Sequence, residues 1–195
     1  MLEKIPHVVG EALSGIKAGV EKTAYDAAFG DVPDTLTLTS PAFADHGEIP
    51  ARFTADGPGL SPPLAWSGLP TGTAALVLLV EDAGSPTPQP LVHLIVWTLS
   101  PATAGLDEGA LPSPDRPEAA GSSLEPSLGK NSFLRPEWLP PDPPSGHGRH
   151  DYHFQLYAMG SSLDLPAHPG RGALLDAMRG RVIGKGRLVG GYARP

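Results

Sequence analysis

Two apolar runs, residues 74–80 and 91–99, constrain this chain most: each is nearly continuous, rich in Val, Ile and Leu, and too short for a helix of ordinary length. Such runs read as central strands buried on both faces, because a strand with one wet face alternates apolar and polar residues. Around them the 195-residue sequence is punctuated by 24 Gly and 24 Pro, about a quarter of the chain. That fraction borders on the composition of disordered segments. Yet 40% of the residues are hydrophobic and they are bunched, as a disordered chain's are not. Pro and Gly cost a helix interior about 3 and about 1 kcal/mol, which argues against a helical bundle. A mostly β, turn-rich fold of one domain, at most two, is expected.

The first thirty residues differ from the rest. Ile5, Val8, Val9, Ala12, Leu13, Ile16, Val20, Ala24 and Ala27 recur at three- and four-residue spacing with Glu3, Lys4, Glu11, Lys17 and Glu21 mostly between them. The spacing predicts an amphipathic helix closed by Gly30, so that residues 1–30 form an N-terminal extension to a domain at 31–195. Its stripe of Ile5, Val9, Ile16 and Val20 is expected to cover a sheet face or a homodimer contact; its polar face lacks the Lys and Arg enrichment of a membrane-surface helix. Further strands are expected at 35–39, at 152–159 and in the tail at 187–192, a short helix at 173–178, and a mobile Pro-, Ser- and Glu-rich loop at 111–128.

Charge and composition exclude other classes. The absence of Cys removes thiol chemistry and disulfides. A formal net charge of −7 disfavours sequence-independent nucleic-acid binding and docking on anionic membranes. No apolar run reaches the roughly 18 residues of a membrane span, and Glu3, Glu11 and Glu21 interrupt any signal-like segment. A cytoplasmic protein without a cofactor is the expectation.

Polar residues that a core would not choose occur in three places. Asp82 closes the first apolar run ahead of a turn ending in Pro86; His93 sits inside the second; and a rigid loop with Asp142, Pro143 and Pro144 delivers His150 and Tyr152 to the start of a strand, on one side of it. These groups can form a small polar pocket suited to an anion, with imidazolium and phenol donors and Asp82 orienting the rings. The alternative is a core His93 satisfied internally, with ordinary turns around it.

The sequence resembles the phosphatidylethanolamine-binding protein family, in its bacterial Raf-kinase-inhibitor-like branch, over about residues 36–192. Ser61-Pro62-Pro63-Leu64-Ala65-Trp66 matches that family's Ser-Pro-x-Leu-x-Trp signature, Gly129-Lys130-Asn131 its Gly-x-Asn stretch, and residues 143–152 its Pro-Pro-x-Gly-x-x-x-His-Arg-Tyr motif. The resemblance implies a Greek-key β-sandwich with a few peripheral helices. It also implies a pocket for phosphate, phosphorylated head groups or phosphorylated side chains, held by Asp82, His93, Asp142, His150 and Tyr152 and walled by Pro86, Pro143 and Pro144, in a protein that modulates a partner such as a kinase or protease. Four departures bear on the ligand: Gly84 replaces an Asp, Leu91 and Val92 replace flanking aromatics, Asp142 stands at a frequent Gly, and Asp151 replaces Arg, which is expected to turn a positive charge at the mouth negative.

Other chemistries compete. His147, His150 and His153 with Asp142 and Asp151 suggest a metal site, although His150 and His153 fall on opposite sides of a strand. Ser85 with Asp82, His93 and His150 suggests a hydrolase, and the same His and Asp groups a lyase, but no Gly-x-Ser-x-Gly elbow or other activated nucleophile accompanies them. Gly184-Lys185-Gly186 lacks the context of a phosphate loop, and Trp66, Trp97, Trp138 and Tyr157 suit packing better than base stacking. A binding module and an acid–base enzyme therefore both stand as readings.

Overall fold

The computed structural model describes residues 7–117 and 127–194, with side chains from residue 10 onward. Helix α1 (His7–Leu13) is followed by a 3-10 turn at Val20–Lys22 and a π-helical turn at Ala24–Ala28. Then come β1 (Thr37–Thr39), β2 (Gly47–Glu48), β3 (Leu64–Ser67), β4 (Ala75–Asp82), β5 (Leu91–Leu99), β6 (Gly105–Leu106), β7 (His150–Met159), α2 (Arg171–Met178) and β8 (Val182–Tyr192). The strands form a three-stranded sheet, β1-β3-β6, and a five-stranded sheet, β2-β8-β7-β4-β5.

Both faces of the larger sheet are covered, which explains the continuous apolar runs. One face packs on the smaller sheet through Leu76, Leu78, Val80, Phe154 and Leu156 against Leu38, Leu64 and Trp66. The other face carries Val77, Leu79, Tyr157 and Met159 under Leu174, Leu175 and Met178 of α2 and under Ala24, Tyr25 and Phe29. The fold is the expected mostly β sandwich with few helices. Burial of residues such as Leu76, Leu78 and Leu156, all 0% exposed, contributes about 1.5–3 kcal/mol per side chain.

The N-terminal segment differs from the single helix that its periodicity predicts. Gly10, Gly15 and Gly19 weaken a helix there, and Gly19 takes a φ of 98°, outside the right-handed region. The chain instead leaves α1 and runs extended, with the N–H groups of Ala18 and Gly19 donating to the carbonyls of Ser85 and Ala83. Contact with the sheet comes from Ala24, Tyr25 and Phe29, while Ile16 and Val20 of the expected stripe are 52% and 46% exposed; the side chains of Ile5 and Val9 lie outside the described residues. Half of the segment expected to be mobile, 118–126 of 111–128, also lies outside them. Within the described part, Leu111 and Ser113 are buried and Ser113 pairs with Arg116.

Strand ends extend past the apolar runs because ladder hydrogen bonds do not require apolar side chains. Thus Glu81 and Asp82 still pair, with His153 and Tyr152, and β8 begins five residues before the expected tail strand. Lys185 lies within β8; at Gly186 a Cβ would stand 2.3 Å from the Leu36 carbonyl oxygen, so glycine permits the close backbone approach.

Candidate functional site

At the end of the large sheet where β4 finishes and β5 and β7 begin, a cavity of about 490 Å3 opens. Asp82, Pro86, His93, Asp142, Pro143, His150 and Tyr152 all line it. Pro144 does not line it and is buried behind that wall. Antiparallel register puts Asp82 opposite Tyr152, and His150 and Tyr152 share a face two residues apart, as the sequence suggests.

The polar groups are wired in a fixed order. Asp82 accepts from the Gly84 N–H through Oδ1 (2.8 Å) and binds His150 Nδ1 through Oδ2 (2.8 Å). His150 Nε2 is 2.7 Å from His147 Nδ1, so both nitrogens of His150 are engaged within the protein. This differs from the expectation that both imidazoles present donors to a ligand: among the described residues only His93 has a ring nitrogen to spare in this cavity. His93 Nδ1 lies 2.7 Å from the Leu139 carbonyl, which can only accept, so Nδ1 carries the proton. His93 Nε2 is buried with no hydrogen-bond partner among the described residues. Burial lowers the pKa of His93, against the opposing pull of Asp82, and the ring is neutral at neutral pH. The Tyr152 ring meets that of His93 edge-on at 5.0 Å. Burial, then the charges of Asp82 and Asp142, push its phenol well up, so it keeps its proton.

Asp142 is held from behind by a residue that sequence reasoning missed. Arg194, 8% exposed, binds Asp142, chelates Asp56 (Nε–Oδ2 2.7 Å, Nη2–Oδ1 2.7 Å) and donates to the Pro143 carbonyl at 3.1 Å. Although burial opposes its charge, the hydrogen bonds to Asp56 and Asp142 raise its pKa above the usual arginine value. Tyr192 adds a 2.5 Å bond to Asp56. Nothing local in the tail marks Arg194; only the fold brings it to Asp142. Phe133, Arg135, Glu137 and Asp115, also missed, form the outer rim, with Arg135 and Glu137 3.6 Å apart.

Three of the departures acquire physical readings. A Cβ at Gly84 would stand 2.9 Å from the His150 Cα, so strand β7 approaches this turn closely. Leu91 lines the cavity while Val92 packs in the opposite core. Asp151 does not line the cavity: it pairs with Arg149 at 2.9 Å, correcting the expectation of a negative charge at the mouth. Ser85 Oγ donates to the Asp82 carbonyl and bonds Thr87 rather than an imidazole. Among the described residues no cluster of His, Asp and Glu converges as a metal site.

A family model described as phosphatidylethanolamine-binding protein matches residues 39–193. The chain belongs to this family. Among its relatives, a UPF0098 protein of Methanothermobacter thermautotrophicus is 35% identical over 159 residues, covering 82% of this chain and 99% of the relative. A lipoprotein-named Mycobacterium tuberculosis protein, LppC, is 34% identical over 82% of this chain and 73% of its own. Among solved structures, a Chlamydia trachomatis chain described as a phosphatidylethanolamine-binding protein homolog superposes with a TM-score of 0.72 at 31% identity, covering 83% of this chain and 99% of that one. Escherichia coli YbcL shares the fold at a TM-score of 0.69, 22% identity and the same coverage. No helix among the described residues is long and apolar enough to cross a membrane.

Proposed function

We propose that this family member is a binding protein whose cavity takes a phosphate-like oxyanion, free, on a head group or on a phosphorylated side chain of a partner enzyme such as a kinase or protease. One observation carries this reading: in a cavity whose other imidazole is satisfied internally, His93 Nε2 is buried without a partner beside the Tyr152 phenol. A buried polar atom without a partner costs about 1–3 kcal/mol, and a ligand that pairs with it recovers that cost. The acid–base alternative has less support, because the hydrogen bonds of Ser85 Oγ go to the Asp82 carbonyl and Thr87 rather than to His93 or His150 and no other activated nucleophile accompanies them among the described residues.

Titration with phosphate or O-phosphoethanolamine, followed by NMR on the histidine rings, tests the reading. The His93 signals are expected to move; flat signals at millimolar ligand with the protein folded would overturn it. We propose that this activity is cytoplasmic. Recovery of the native protein in a membrane fraction, carrying a lipid, would move it to the setting that the name of LppC suggests.

A further inference from the structure

A second concavity, of about 280 Å3, lies between α2 and the N-terminal segment and shares no residue with the cavity described above. Its charged lining is Lys22, Arg171 and Arg179, with no Asp or Glu. We infer that this groove is a separate binding site for a small multivalent oxyanion, a polycarboxylate or a short phosphate chain. In a chain of net charge −7 three cations lining one concavity reverse the field locally, and a cleft lined by one sign of charge concentrates the opposite ion. Arg171 and Leu175 of α2 and Arg179 just after it follow at four-residue spacing, along one side of the helix. Eight residues of helix rise about 12 Å, so a ligand with an anionic group at each end meets both arginines, its middle over Leu175.

The cations are placed but not used up. Arg171 binds Glu81 through Nε at 2.6 Å and donates from Nη2 to the Lys22 carbonyl at 3.0 Å, which fixes the guanidinium and leaves Nη1 for a ligand. Glu81, 0% exposed, offsets one positive charge from inside the protein, so Lys22 and Arg179 remain in excess. Lys22 Nζ donates to the Pro88 carbonyl at 3.2 Å. Arg179 stands 3.4 Å from Asp176, with both side chains mostly in water, where such a pair holds weakly. The opposite wall is Ala27 and Ala28 of the π-helical turn, a rare element that recurs at functional sites, and their short side chains keep the groove open.

NMR titration of the intact protein with citrate, pyrophosphate and acetate at low ionic strength, followed at the arginine Nε–Hε signals, tests this. Citrate or pyrophosphate is expected to move the Arg171 and Arg179 signals with an affinity at least about tenfold above that of acetate. Movement by citrate alone assigns the site to polycarboxylates, and by pyrophosphate alone to phosphate chains. Followed at Arg171, Lys22→Gln or Arg179→Gln is expected to weaken binding about three- to tenfold, while Lys130→Gln, at an exposed lysine outside both concavities, leaves it unchanged. Signals that stay still at millimolar citrate and pyrophosphate overturn the site, and so does an equal loss in Lys130→Gln, the mark of diffuse attraction. Neither result bears on the oxyanion reading of the cavity, which is followed at the His93 ring.

Discussion

The two faces of the large sheet carry polar groups one residue apart, yet they treat them differently. On the face under α2, Glu81 is 0% exposed and fully used: it accepts from the Ala24 N–H (2.7 Å), from Gln155 Nε2 (2.8 Å) and from Arg171 Nε (2.6 Å). Gln155 Oε1 in turn accepts from the Tyr25 N–H and the Tyr157 hydroxyl, and Lys185 donates to the Tyr25 and Phe29 carbonyls. That network binds the N-terminal segment to the sheet. At the cavity, Asp82 next door organises His150 and, through it, His147, while the separate His93 ring keeps an Nε2 with no hydrogen-bond partner among the described residues. A satisfied buried network fixes a structure, whereas one that stops short leaves room for a partner.

The contrast breaks most severely at its satisfied side. Glu81→Ala leaves Arg171, Gln155 and the Ala24 N–H without their shared acceptor and is expected to cost about 3 kcal/mol in chemical denaturation; a loss under about 0.5 kcal/mol would show that the network holds little. Next comes Arg194→Met. With the guanidinium that pairs with Asp142 gone, the cavity wall becomes more negative and phosphate affinity is expected to fall about tenfold; adding Asp142→Asn should restore most of it, and no recovery in the double variant would refute the charge argument.

Acid acts on both faces. Burial lowers the pKa values of His93, His147 and His153 from the ordinary 6.5. The unfolded chain therefore binds protons first as pH falls, so the stability these rings contribute is full above 6.5 and is lost as pH drops through their lowered native values. Melting temperatures are expected to decrease from about pH 7.5 to about pH 5.5, and a rise on acidification would contradict the neutral His93 on which the cavity's chemistry depends. The smallest expected effect on stability is that of Tyr152→Phe, within about 0.5 kcal/mol, with about a five- to tenfold loss of phosphate affinity for one hydrogen bond. A large loss of stability with unchanged binding would move Tyr152 to the structural side of the comparison.

The sequence carried the sheet and the cavity-lining residues unevenly. Residues 74–80 and 91–99 announced buried strands because period and composition are local properties. Asp82, His93, His150 and Tyr152 were legible for the opposite reason, as polar groups in an apolar context. The N-terminal helix failed because three- and four-residue spacing outweighed Gly10, Gly15 and Gly19 in the reading but not in the backbone. Arg194 and the tautomer of His93 were beyond reach. Each is set by contacts across the fold, Arg194 to Asp56 and Asp142 and His93 to Leu139.

The closeness of Gly84 to β7 bears on the order in which substitutions can accumulate. In this chain any Cβ at that position would stand 2.9 Å from the His150 Cα and 3.0 Å from its Cγ. An acid at position 84 therefore cannot simply be grafted in: the strand bearing His150 has to shift outward first, or with it. Position 84 and the seating of His150 are thus epistatic, and a mutational route to an acid at position 84 must pass through the backbone before it reaches the charge.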